Sequence, residues 1–165
     1  MTELTNINRR AFIGVAGAAG AALTFLSVGR ANGASRSLEF ALSDSDWRKR
    51  LGPERYRILR EAGTERPYSS PLNKEHRRGI FACAGCGLPL FSSATKFDSG
   101  TGWPSFFRPL PNAILTRADH SLFMERTEVL CRRCGGHLGH VFDDGPRPTG
   151  LRYCMNGLAL KFVPA

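Results

Sequence analysis

Five cysteines carry most of the chemistry open to this 165-residue chain. Four fall into two Cys-x-x-Cys pairs, Cys83/Cys86 and Cys131/Cys134, and the fifth, Cys154, has no partner of its own kind. The pair spacing is that of a zinc knuckle, in which two thiolates reach one ion from a single turn. Each pair is followed by glycine, Gly87 in one and Gly135 and Gly136 in the other. A knuckle needs that backbone freedom so that its amides can turn toward the sulfurs. Two knuckles complete a closed tetrahedron with no open position, so the expected cofactor is one structural zinc ion. With 44 residues between the pairs, the ion would staple distant parts of the chain and supply on the order of 10 kcal/mol of folding energy. Arg132 and Arg133 would offset the charge of the four thiolates. The alternatives are two disulfides or a redox dithiol. Two such short loops would be poor cross-links, and a redox dithiol needs only one pair.

Cys154 lies in Leu151-Arg-Tyr-Cys-Met-Asn-Gly157, just before the apolar run Leu158–Val163, and the stretch reads as extended. Residues two apart in a strand share a face. Arg152, Cys154 and Asn156 would then point one way, and Tyr153 and Met155 the other. A guanidinium beside a thiol favours the thiolate, which is the nucleophile. The Asn156 amide can donate a hydrogen bond to a bound oxygen. A lone cysteine is more often a small core residue, but Arg152 on the same face argues against a dry environment.

Two more motifs could complete a pocket. In Lys96-Phe-Asp-Ser-Gly-Thr-Gly-Trp-Pro-Ser-Phe-Phe107, Pro104 holds Trp103 extended, and Gly100 and Gly102 leave the approach to it open. Trp103 with Phe106 and Phe107 could form a small apolar wall, with core packing the rival role for the two phenylalanines. In Gly136-His-Leu-Gly-His-Val-Phe142, Gly139 can bend the chain so that His137 and His140 converge. Four cysteines already close a metal shell, so the imidazoles are not needed as ligands. Imidazole as a group titrates near working pH, so either ring could hand a proton to a bound oxygen.

The elements that must position these groups are short. Ser43 caps a helix with Asp46 in its first turn and Lys49 and Arg50 in its last. Gly52-Pro53 breaks that helix and starts another, which Gly63 stops. Tyr56, Leu59 and Ala62 recur at helical spacing and should pack inward. From there on, proline and glycine come every few residues and the apolar segments shorten: 79–82, 89–91, 113–116, 121–124, 128–130, 140–142 and 158–163. These read as short antiparallel strands, giving a mainly-β domain with helices at its front.

Residues 1–34 read as an address rather than as fold. Asn8-Arg-Arg-Ala-Phe-Ile13 precedes an uncharged, Gly/Ala-rich run from Ala11 to Val28, the build of an export signal. The paired arginines before Phe12 resemble a bacterial twin-arginine signal, which implies a periplasmic or otherwise exported protein. Cleavage after Ala31 or Ala34 is expected, and an uncleaved membrane anchor is the second reading. Residues 35–42 then form a linker and 43–165 the domain, with 43–63 its helical lead-in. At 42% hydrophobic and 22% charged residues, this is a soluble globular composition, expected as a monomer with no stable membrane insertion once the signal is cleaved. The formal charge is +9, but the basic residues are scattered. No arginine-rich arm or regular basic and aromatic alternation points to a nucleic-acid partner.

Read together, the two knuckles, GTGWPSF, HLGHVF, DGPRPTGLRYCMN and the lead-in followed by GTERPY resemble the B-type peptide-methionine sulfoxide reductases, over roughly Leu42 to Phe162. The resemblance implies two small antiparallel sheets in a tent-like arrangement, with zinc at the edge away from the nucleophile. It implies reduction of the R epimer of methionine sulfoxide in oxidised peptides and proteins, with Cys154 as nucleophile and Cys83, Cys86, Cys131 and Cys134 on zinc. Trp103 would receive the substrate methyl group, and His137, His140, Arg152 and Asn156 would shape the polar side. Two positions depart from the family pattern. Members that recycle through an internal disulfide carry cysteine where this chain has Thr101, so the reductant here would be a thioredoxin-like protein or a small thiol. The usual Cys-Val-Asn-Ser is Cys154-Met-Asn-Gly157, and loss of that hydroxyl should loosen the pocket floor. The rival class is a zinc-ribbon binding module, which would leave Trp103, His137, His140, Arg152, Cys154 and Asn156 without a purpose.

Overall fold

The computed structural model describes residues 38–120 and 125–165. Ser43 caps α1, Asp44–Glu61, by accepting the Asp46 N–H on its hydroxyl at 3.2 Å. Gly52 leaves helical geometry at φ 67°, ψ 172°, and the second half restarts at Pro53, so the two expected helices are one kinked element. Only glycine takes that left-handed φ without steric cost. Trp47, Leu51, Tyr56, Ile58 and Leu59 face inward. The expected stop is displaced by one residue. Ala62 takes the left-handed cap at φ 52° and is exposed, so Ile58 fills the inward place assigned to it.

Two antiparallel sheets follow. The smaller is ordered β2-β1-β9, from β1 (Gly79–Cys83), β2 (Pro89–Ser92) and β9 (Leu160–Pro164). The larger comprises β3 (Lys96–Phe97), β4 (Ser105–Phe106), β5 (Ile114–Asp119), β6 (Arg126–Cys131), β7 (His137–Phe142) and β8 (Arg152–Met155). Its order is β3-β4-β8-β7-β6-β5. The strand expected at 121–124 lies outside the described residues. The sheets meet across an aromatic core. Phe91 of the small sheet stacks on Phe106 of the large one at 4.4 Å between ring centres, and Phe81 meets Phe106 edge-on at 4.9 Å.

Residues 38–42 do not behave as a free linker. Phe40 packs edge-on against Trp47 at 5.6 Å and its N–H donates to Arg133 O at 3.0 Å, while Glu39 pairs with Arg132. The candidate export segment, 1–34, lies outside the described residues, and no helix among the described residues is long and apolar enough to cross a membrane.

Candidate active site and metal centre

Cys83 ends β1 and Cys131 ends β6, so one knuckle hangs from each sheet. The turns close identically. The Cys83 and Cys131 N–H groups donate to Leu88 O and Gly136 O, and the Gly87 and Gly135 N–H groups donate back to Cys83 O and Cys131 O, all at 2.8 Å. Gly87 and Gly135 take φ 78° and 67°. The four sulfurs lie within 4.8 Å of one another, with Cys83 to Cys134 at 3.7 Å and Cys86 to Cys131 at 3.5 Å. Sulfurs about 2.3 Å from a zinc ion stand about 3.8 Å apart at the corners of a tetrahedron. The spacing therefore fits a metal ion held between the two sheets. It does not fit disulfides, and all five cysteines are free.

Cys154 lies elsewhere. In the ladder it sits between Ser105 of β4 and His140 of β7, and His140 in turn faces Glu128 of β6. Cys131 is three residues further along β6, so roughly 10 Å along the strands and roughly 10 Å across separate it from Cys154. The alternation along β8 is as expected: Tyr153 and Met155 are buried, Arg152 and Cys154 half-buried. Cys154 opens into a pocket whose apolar wall is Trp103 and Phe142 and whose polar side is His140, Asn156 and Arg126. Trp103 is anchored by its indole N–H, which donates to Glu65 O at 3.2 Å. Asn156 accepts the Glu65 N–H on Oδ1 at 3.0 Å and donates one amide hydrogen to Leu138 O at 3.2 Å, leaving its second hydrogen for a ligand.

A β-bulge explains how two histidines three residues apart reach one side. Val129 pairs with Gly139 but Leu130 pairs with His137, so β7 carries one extra residue. The rings stand 5.5 Å apart. Gly139 is required by proximity, because a Cβ there would lie 2.1 Å from Cys154 O. The two imidazoles are not equivalent. His140 reaches the pocket, with Nε2 2.8 Å from Asp119 Oδ2. His137 is 3% exposed and sits behind it, with Nδ1 2.7 Å from Glu128 Oε1. Its buried Nε2 meets no partner among the described residues. Burial pushes His137 below the ordinary imidazole pKa, although Glu128 pulls the other way. Each acid is also held by an arginine on the neighbouring strand: Arg117 pairs with Glu128 at 2.6 Å and Arg126 with Asp119 at 2.7 Å. These acids escaped the sequence reading. Their signal was the alternation Arg117-x-Asp119 and Arg126-x-Glu128, which the antiparallel register converts into two cross-strand pairs.

The thiol itself departs from expectation. Burial pushes Cys154 above the ordinary value, and the opposing pulls of Thr101, Arg152 and Ser105 do not reverse this. Arg152 is shared between Cys154 and an acid. It grips Asp144 with two hydrogen bonds of 2.8 and 2.9 Å, and its guanidinium lies 4.3 Å from the centre of the Phe142 ring. A charge already paired projects less field onto its other neighbour.

The SelR domain family matches residues 51–164. The peptide methionine sulfoxide reductase MsrB of Leptospira interrogans serogroup Icterohaemorrhagiae serovar Lai is 58% identical over 121 residues, covering 73% of this chain and 92% of that protein. MsrB of Agrobacterium fabrum is 56% identical over 123 residues, with 74% and 91% covered. MsrB of Methanosarcina mazei is 54% identical over 122 residues, with 73% and 87% covered. This chain belongs to the MsrB family.

Two expectations, one from the residues around Trp103 and one from the family pattern after Cys154, are corrected by the structure. Phe106 is not at the pocket; it is wholly buried between Phe81 and Phe91, and Phe142 takes its place beside Trp103. The register decides this, because Ser105 pairs with Cys154 and Phe106 with the inward-facing Tyr153. Nor does Gly157 loosen the floor. The space its side chain would fill is taken by Ser70, whose Oγ lies 1.9 Å from the position of a Cβ at Gly157. Glu65, buried at 5% exposure, accepts the Gly157 and Leu158 N–H groups at 2.6 and 2.9 Å. Ser70, two residues past the GTERPY segment, thus fills the space beside Gly157, and Glu65 within that segment ties down the backbone there.

Proposed function

We propose that this MsrB-family protein reduces the R epimer of methionine sulfoxide in oxidised peptides and proteins, with Cys154 as the nucleophile. The observation that carries the reading is the separation of one sulfur from four. Cys154 opens into a pocket with Trp103, His140 and Asn156, while Cys83, Cys86, Cys131 and Cys134 form their own cluster. In the proposed reaction the substrate methyl group rests on Trp103. The sulfoxide oxygen lies toward His140 and the free Asn156 hydrogen. The Cys154 sulfur attacks the sulfoxide sulfur as that oxygen takes a proton, and imidazole is suited to deliver it. The oxygen then passes from the substrate sulfur to Cys154 Sγ as the bond between the two sulfurs breaks, methionine leaves as the thioether, and Cys154 is left as a sulfenic acid. One external thiol forms a mixed disulfide and releases water, and a second restores the Cys154 thiol. Thr101 cannot act as an internal resolving thiol, so a thioredoxin-like protein or a small thiol is the proposed reductant.

Zinc is the proposed ion for the four-cysteine cluster, where it would supply a cross-link between the sheets and no step of the reaction. Residues 1–34 are proposed as a twin-arginine signal that delivers the protein, folded and metal-loaded, to the periplasm. The deciding experiment incubates the purified protein with separated R and S methionine sulfoxide peptides and dithiothreitol. Consumption of R alone is expected, and consumption of S, or of neither, would sink the assignment.

A further inference from the structure

A line of hydroxyl groups runs away from the Cys154 sulfur. Thr101 Oγ1 lies 3.8 Å from Sγ, and Ser99 Oγ lies 2.8 Å from both Thr101 Oγ1 and Ser105 Oγ. Ser105 Oγ lies 3.1 Å from the Trp103 carbonyl oxygen. Ser105 is wholly buried and is the ladder partner of Cys154, so water does not compete for it.

Each hydroxyl has one hydrogen to give, and that fixes the direction of the line. The carbonyl can only accept, so Ser105 donates to it. Ser105 then accepts from Ser99, Ser99 accepts from Thr101, and Thr101 is left to accept from the Cys154 thiol. Once the sulfur is ionised it can only accept. Thr101 then donates to the sulfur, Ser99 to Thr101 and Ser105 to Ser99, and the Trp103 carbonyl is released. Both directions use the same atoms.

We infer that Thr101, backed by Ser99 and Ser105, is a further functional residue of this site: the end of a reversible hydrogen-bond line that accepts from the Cys154 thiol and donates to the Cys154 thiolate. The inference rests on Cys154 being the nucleophile. Thr101 and Ser105 both meet the reacting sulfur, whereas Ser99 lies between their hydroxyls and acts through them as a positioning residue. The line gives a half-buried sulfur a donor that Arg152, bound to Asp144, supplies only in part.

The test is the pH dependence of Cys154 alkylation by iodoacetamide, followed on the Cys154 peptide by mass spectrometry in the metal-loaded full chain. Thr101→Val should raise the midpoint by about one pH unit, a roughly tenfold slower reaction at any pH below it. Ser99→Ala should move it in the same direction by less, and Thr101→Ser should stay within about twofold of the parent rate. An unchanged midpoint in Thr101→Val overturns the inference. If that variant loses its metal, Ser99→Ala decides on the same criterion. Turnover of the R sulfoxide peptide is read separately. Turnover without the alkylation shift rejects the hydroxyl line alone, and a parent protein with no turnover rejects the nucleophile reading instead.

Discussion

Replacing Thr101 with cysteine should convert external recycling into internal recycling. Thr101 Oγ1 and Cys154 Sγ are 3.8 Å apart across a sequence separation of 53 residues. A cysteine sulfur extends further from Cβ than a hydroxyl oxygen, so about 1.5 Å of movement brings two sulfurs to the ~2.05 Å bond. The loop can supply it, since Gly100 and Gly102 flank the position at φ 71° and 93°. Closing a loop of that length removes unfolded-state entropy worth about 4 kcal/mol by the chain-entropy relation, and the oxidised variant should melt roughly 10 °C higher. The assay is one equivalent of sulfoxide peptide without reductant, then thiol counting and non-reducing peptide mapping. The parent should lose one thiol, and Thr101→Cys should lose two and yield a peptide linking position 101 to Cys154. A variant that consumes Cys154 yet keeps its new thiol would refute the neighbourhood of the two side chains on which both the reaction scheme and the hydroxyl line depend.

Stripping the metal, or Cys83→Ser, should remove on the order of 10 kcal/mol, comparable to a whole domain's stability, and abolish the cooperative transition seen by circular dichroism. A protein still cooperatively folded without metal would reject the staple. Gly139→Ala places a Cβ 2.1 Å from Cys154 O and should cost about 3 kcal/mol in urea unfolding, with loss of turnover as His140 leaves its place opposite Cys154. Asp144→Asn removes the carboxylate that occupies Arg152. A freer guanidinium favours the anion, so the Cys154 alkylation midpoint should fall and the rate at pH 7 should rise several-fold; an upward shift would contradict the sign. Gly157→Ser should destabilise the chain because Ser70 fills the space, and adding Ser70→Gly should recover most of the loss, a non-additivity read by a double-mutant cycle.

The parts legible in the sequence are those that covalent or backbone geometry dictates. Metal ligation needs fixed cysteine spacings followed by glycine, so the cluster could be named from Cys83, Cys86, Cys131 and Cys134. The break in α1 was legible because Gly52-Pro53 cannot continue a helix, and the face shared by Arg152 and Cys154 because strand alternation is rigid. What escaped depends on register. β3 and β4 are two residues each, too short for any periodicity, yet β4 decides that Ser105 faces Cys154 while Phe106 enters the core. Asp119 and Glu128 become the partners of His140 and His137 only once β5, β6 and β7 are aligned and the bulge at Val129 and Leu130 is known. Asp144 meets Arg152 because a turn brings the chain back on itself, with Gly145 N–H donating to Gly150 O at 2.9 Å. The sequence places arginine beside cysteine but does not reveal the acid that engages it.

A thiol held above its ordinary pKa looks poorly suited to nucleophilic attack, yet the proposed first step conserves protons. Thiol and sulfoxide give sulfenic acid and thioether with nothing left over. The proton that the sulfoxide oxygen must gain is the one that the thiol must lose. A site that ionised Cys154 at rest would have to recover that proton from solvent at the moment of attack, through a pocket that the substrate now fills. A site that keeps the proton near the sulfur needs only groups that carry it across. His140, fixed by Asp119, stands beside the sulfur in the ladder, and Thr101 can turn from acceptor to donor as the charge on sulfur appears. The same burial that lifts the Cys154 pKa limits the resting thiolate on which oxidants act. For a thiol proposed to work in an oxidising compartment, ionisation confined to the moment of substrate attack is the arrangement that protects it.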